Sequence, residues 1–152
     1  MGTGIRYVHT NIIAKDWRKL AQFYMDVFQC TPTYPERKLQ GKWLEDLTGI
    51  PNVDIKGIHL ALPGYGYGPT LEIFEYVPGH ETEEKPKING QGLAHLAFHV
   101  ESVETILKSL LEYGGEQLGK IVVQDYGGIG VLTVVYARDP EGNLIEIQNW
   151  KK

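Results

Sequence analysis

A chain of 152 residues, 42% hydrophobic and 22% charged, has the size and composition of one ordinary folded domain and excludes a disordered segment. Its formal net charge of -4 offers no basic field to a nucleic-acid backbone or an anionic lipid surface, so neither nucleic acid nor membrane is an expected partner. The lone cysteine, Cys30, excludes an intramolecular disulfide, and no apolar run approaches the ~20 residues that span a bilayer, so a cytoplasmic setting is expected.

Along the chain, Tyr7 to Ile13 alternates and is rich in branched and aromatic residues, which predicts a strand. Asp16 is placed to cap a helix over Asp16 to Phe28, where Trp17, Leu20, Ala21, Tyr24 and Phe28 recur at three- and four-residue steps. Pro32 and Pro35 end that helix, and Lys42 to Asp54 is expected as a connection with a turn at Gly49-Ile50-Pro51-Asn52. Ile55 to Leu62 and Thr70 to Tyr76 are expected strands, joined by the glycine-rich Pro63 to Pro69 turn. Residues 78–89, polar and punctuated by Pro and Gly, are expected to link two modules of about 1–77 and 90–152 within a single domain, 1–152.

The pattern then starts again. Leu93 to Val100 alternates, Ser102 is a plausible cap, and Val103, Ile106, Leu107, Leu110 and Leu111 form an apolar helical stripe that Gly114-Gly115 stops. Ile121 to Gln124, Val131 to Ala137 and Leu144 to Asn149 supply three strands, the last two separated by the turn Asp139-Pro140-Glu141-Gly142-Asn143. Each half thus reads as strand, helix and about three strands.

The chemistry-bearing residues repeat with the elements. His9 opens the first half and Glu72 closes it; His95 opens the second and Glu146 closes it, with the longer first half attributed to the Thr31 to Asp54 connection. Taken singly, each fits a solvent-facing or satisfied rim position on an alternating strand. Their matching places in two repeats favour one site, because two imidazoles and two carboxylates suit a divalent transition metal, and carboxylates brought together without a cation would repel. Glu75, three residues from Glu72, is expected on the opposite strand face. His59 is expected as a partly buried, hydrogen-bonded histidine or a redundant ligand, while His99 and His80 are expected to meet solvent. The Gly64 to Gly68 turn lacks the lysine and helix of a phosphate loop, and its Tyr65 and Tyr67 are expected near a pocket. Cys30 is expected to be a buried small apolar residue.

The segments Val8-His9-Thr10-Asn11 with Phe23-Tyr24, Leu71-Glu72-Ile73, Gly92-Leu93-Ala94-His95-Leu96-Ala97-Phe98, and Asp139-Pro140-Glu141-Gly142-Asn143-Leu144-Ile145-Glu146 resemble the vicinal oxygen chelate superfamily, over nearly the whole chain. The resemblance implies an α+β fold of two βαβββ modules whose mixed sheet curls around a shared cleft, usually in a homodimer. It also implies one divalent metal (Ni, Zn, Co, Mn or Fe) held by His9, Glu72, His95 and Glu146. That ligand set is similar to bacterial glyoxalase I, a lactoylglutathione lyase that works through an enediolate; Glu146 would be the base and Glu72 a second ligand or proton carrier. The alternatives implied are an Fe(II) extradiol dioxygenase, an enzyme similar to methylmalonyl-CoA epimerase, and a non-catalytic bleomycin-resistance-type binding protein. The basic residues available for a glutathione-like group are Arg18, Lys19 and Arg138, and the Trp43 to Asp54 segment departs from a compact glyoxalase I.

Overall fold

The computed structural model describes residues 2–152, and the chain divides into two compact units, one ending at Glu81 and the other covering Thr82–Lys152. The first holds β1 (His9–Ile13), α1 (Trp17–Phe28), β2 (Thr31–Gln40), α2 (Lys42–Thr48), β3 (Asp54–Ala61) and β4 (Thr70–Val77). The second holds β5 (His95–His99), α3 (Val103–Glu112), β6 (Glu116–Asp125), a 3-10 turn at Gly127–Ile129, β7 (Val131–Arg138) and β8 (Leu144–Lys151). The two sheets have the orders β1-β4-β3-β2 and β5-β8-β7-β6. In each, the first strand pairs parallel with the last and the other pairs are antiparallel, so the fold is α+β with two βαβββ modules built on mixed sheets.

The helices form where the local signals place them. The Asp16 carboxylate accepts from the Lys19 amide at 3.2 Å, and Gln29 closes α1 in the left-handed region at φ 58°. The buried stripe of α1, from Trp17 and Leu20 to Val27 and Phe28, packs on β3 and β4. There Ile58, Leu60, Leu71 and Ile73 are buried, each contributing roughly 1.5–3 kcal/mol of hydrophobic stabilisation. Ser102 caps α3 through the Thr105 amide at 3.2 Å, and Val103, Leu107 and Leu110 form its buried stripe.

Two elements differ from the expectation drawn from sequence. Prolines at 32 and 35 argue against a strand, yet β2 runs through both. It can do so because it is an edge strand, with a bulge between Thr33 and Arg37 where Pro35 interrupts the pairing, so no central ladder loses a donor. The supposed connection from Lys42 folds as α2, whose Leu44 packs with Val53, Ile55 and Phe74 in a second small core, with Leu39, Ile50 and Tyr76 against it. Seven residues are too short for a periodic stripe to declare itself.

The repeat extends to a detail the sequence does not display. β6 carries a bulge between Leu118 and Val122, at the position that matches the Thr33/Arg37 bulge of β2. Most of the extra length of the first half lies between β2 and β3, where α2 stands in place of the short 3-10 turn, and the rest lies mainly in the longer β3–β4 turn. Among the described residues, no helix is long and apolar enough to cross a membrane.

Candidate metal centre

Register builds the site in the first unit. Glu72 of β4 pairs with Asn11 of β1 on one side and with His59 of β3 on the other, and His59 pairs in turn with Thr33 of β2. One row further along, His9 pairs with Thr70. Because strand side chains alternate, these residues share one sheet face while the Leu71 and Ile73 side chains turn to α1.

On that face Glu72 is 9% exposed. Its Oε2 lies 2.8 Å from His59 Nε2, and its Oε1 lies 3.6 Å from His9 Nε2 and accepts from Asn11 Nδ2 at 2.8 Å. His59 Nδ1 is 3.2 Å from Thr70 Oγ1, which fixes the ring so that Nε2 faces the carboxylate. One ligand atom from each of His9, His59 and Glu72 lies within 4.8 Å of the others. Donor atoms bonded at ~2.0–2.2 Å to a first-row ion stand roughly 3–4 Å apart, so modest side-chain rotation closes this group around such an ion. Burial lowers the His59 pKa, the neighbouring Glu72 carboxylate opposes that effect, and the charges of Arg37 and His9 reinforce it. The imidazole is therefore held neutral, the form that ligates a metal.

Glu75 turns the other way, as alternation requires, and its Oε1 accepts from the Trp17 amide at 3.4 Å. The ligand-type residue that sequence reasoning did not select is His59. Its position on an alternating strand was visible, but its distance from Glu72 depends on how β3 registers against β4.

The second unit repeats the arrangement with different chemistry. Glu146 of β8 pairs with Ala97 of β5 and with Tyr136 of β7, and His95 Nε2 stands 3.8 Å from Glu146 Oε1. Tyr136 thus occupies the register position that His59 has in the first unit, and Ala97 that of Asn11. The Tyr136 ring lies 5.2 Å from that of His95. Burial first, then the Glu146 charge and a hydrogen bond to it, raise the Tyr136 pKa, so the phenol keeps its proton and donates to Glu146. Gln148 Nε2 donates to the same carboxylate. Among the described residues, His9, His59 and Glu72 form the group of three or more metal-type donors.

The other candidates have structural or solvent roles. His80, His99 and Tyr65 are exposed, and Tyr67, also exposed, lines a groove beside His59 as expected of a tyrosine near a pocket. Cys30 is buried, and its thiol is pushed up to about 12 by that burial. Arg18 is held by Glu36 and lies 4.4 Å over the Trp17 ring, Lys19 reaches back to Asp16 at 4.0 Å, and Arg138 donates to the Pro86 and Gly142 carbonyls. Arg18 and Arg138 are thus engaged by hydrogen bonds within their own units, while Lys19 is an exposed surface group.

Comparison with known proteins agrees with this architecture. A glyoxalase family protein from Bacillus cereus superposes with a TM-score of 0.77 at 16% identity, covering 100% of this chain and 97% of that one. The genomically encoded fosfomycin resistance protein FosX from Listeria monocytogenes, complexed with Mn(II) and sulfate, gives 0.57 at 16% identity, covering 99% and 95%. A glyoxalase/bleomycin resistance protein/dioxygenase family enzyme from Burkholderia phytofirmans gives 0.60 at 16% identity, covering 94% and 97%. At these identities the likeness is one of fold. The family model described as Glyoxalase/Bleomycin resistance protein/Dioxygenase superfamily matches residues 6–147, through both units and with His9, His59, Glu72, His95 and Glu146 inside the match, and the chain belongs to that superfamily.

Proposed function

We propose that the protein is a divalent-metal-dependent enzyme acting on a small oxygen-bearing substrate, with ligands drawn from the repeated pairs His9 with Glu72 and His95 with Glu146, and with His59 as a further ligand beside the first pair. The observation that carries this reading is the coincidence of the two pairs. A histidine on the first strand and a glutamate on the last lie 3.6 Å apart in one unit and 3.8 Å apart in the other, at matching register positions. Solvent-facing polar residues have no reason to meet twice in this way. The superfamily match through both units supports treating residues 1–152 as one domain, and a homodimer is the assembly proposed.

The donor set fits Zn, Ni, Co, Fe or Mn better than Ca or Mg. When bound, such an ion supplies electrostatic stabilisation for negative charge on substrate oxygens. The chain's own groups do the rest in the leading reading, a lyase or isomerase of glyoxalase type. Glu146 takes a proton from an acidic substrate C–H, held in one orientation by Tyr136 and Gln148. Glu72, oriented by Asn11, is the second carboxylate that can hold the ion or carry a proton.

Elemental analysis with turnover measurements tests this. Purified protein is expected to hold one transition-metal ion per chain, and Glu146→Gln is expected to lose hemithioacetal isomerisation more completely than it loses metal. Equal residual activity in that variant would refute the base assignment.

A second reading rests on His9, His59 and Glu72 alone, because two histidines and one carboxylate leave coordination positions open, the arrangement used by non-haem Fe(II) oxygenases. Here the ion survives His95→Ala but not His59→Ala, and the Fe(II)-loaded protein consumes O₂ with a catechol. A fully folded protein that takes up no metal would instead support a binding protein.

A further inference from the structure

Beside the metal-binding face of the first unit lies an open groove of about 540 Å³, formed by the residues leading into β1, by β2 and by the turn before β4, with His59 as one wall. We propose that this groove is an oxyanion subsite in which Arg6 and Arg37 bind a carboxylate, phosphate or phosphonate group of the substrate, deepening the metal-enzyme reading on which it rests.

The charge balance of the groove runs against that of the chain. The protein carries a formal net charge of -4, yet the groove is lined by two arginines and by no aspartate or glutamate. Of the chain's four arginines, Arg18 is taken by Glu36 through two hydrogen bonds of 2.8 and 2.9 Å, and Arg138 is spent on carbonyls. Arg6 and Arg37 have no such neutralisation. Among the described residues neither has a carboxylate within ion-pair distance, and Arg37 donates only to the carbonyl of Pro35. Glu36, the acid adjacent to Arg37 in sequence, is the one Arg18 occupies.

Two guanidinium groups lining one groove without a counter-charge repel, and an oxyanion relieves that repulsion while accepting their paired N–H groups. Thr33 and Thr70 line the same groove, and their hydroxyls are further donors. His59 and Thr70 also belong to the Glu72 face, so an oxyanion held in the groove leaves the remainder of a short substrate beside His59 and Glu72.

Titration calorimetry of the as-purified protein with inorganic phosphate and with acetate, run with metal analysis of the same samples, tests the subsite. Wild type is expected to bind at least one of the two anions, and Arg6→Gln/Arg37→Gln is expected to weaken that binding by about tenfold or more at unchanged metal content and fold. Preference for phosphate assigns a tetrahedral group and preference for acetate a carboxylate. The subsite is overturned if neither anion binds, or if the double variant binds as wild type does. Glu72→Gln separates the two readings: it is expected to lose metal while keeping arginine-dependent anion binding. A wild-type protein without metal that still binds anion through the arginines would remove the metal reading and leave the subsite standing.

Discussion

Glu72 Oε2 lies 2.8 Å from His59 Nε2 across a register pair of β4 and β3, and the other oxygen of the same carboxylate takes the Asn11 amide at 2.8 Å. The carboxylate is therefore oriented from both flanking strands. Its two contacts differ in kind, because His59 can ligate a metal and the Asn11 amide donor orients without ligating.

That difference is measurable. Asn11→Ala is expected to lower metal affinity by about 10–100-fold, the usual effect of losing a group that orients a ligand, without changing the ion stoichiometry at saturation. Glu72→Gln is expected to lower the stoichiometry itself. A metal-competition titration reads both, and an Asn11→Ala protein with wild-type affinity would remove the orienting role.

His59 makes the metal-free protein sensitive to acid. Its folded-state pKa is lowered, chiefly by burial, so the folded chain binds this proton less readily than the unfolded chain does. The stability this represents is fully present above the ordinary histidine value of ~6.5 and is lost as the pH falls through the lower folded-state value. Urea unfolding of metal-free protein between about pH 8 and pH 5 should show this decline, and His59→Gln should flatten it.

Cys30 should be chemically silent in the folded protein. It is 4% exposed and its thiol is pushed up to about 12, so almost no thiolate exists near neutrality. A thiol-reactive chromophore is expected to react with the chain's single cysteine only after denaturant is added. Rapid native labelling would contradict the burial.

The Asp139 turn should couple stability to the second glutamate. Asp139 is 2% exposed; its Oδ1 accepts from the Glu141 and Asn143 amides at 2.9 and 3.0 Å, and its Oδ2 accepts from Asn143 Nδ2 at 2.9 Å. Asp139→Ala strands these donors at the entrance to β8, which carries Glu146. A loss of about 1–3 kcal/mol is expected in urea unfolding, together with a fall in turnover. Unchanged stability would show that the turn holds its shape without this carboxylate.

Local periodicity was enough to read α1 and α3, since an apolar stripe at helical spacing records which side of a helix is covered, and the caps at Asp16 and Ser102 mark where each helix starts. Alternation likewise assigned β1, β4, β5 and β8, separated Glu72 from Glu75, and exposed the duplication that pairs His9 with His95 and Glu72 with Glu146. β2 and α2 escaped that reading because prolines suppress the strand signal even on an edge that tolerates them, and a single small contact surface on a short helix leaves no period. Only the tertiary structure decided that His59 faces Glu72, that Tyr136 takes the matching position beside Glu146, and that Arg6 and Arg37 line one groove. Each of these depends on which segments distant in sequence the fold sets side by side, and a chain's local pattern fixes which face a side chain takes but not which remote residue stands opposite it.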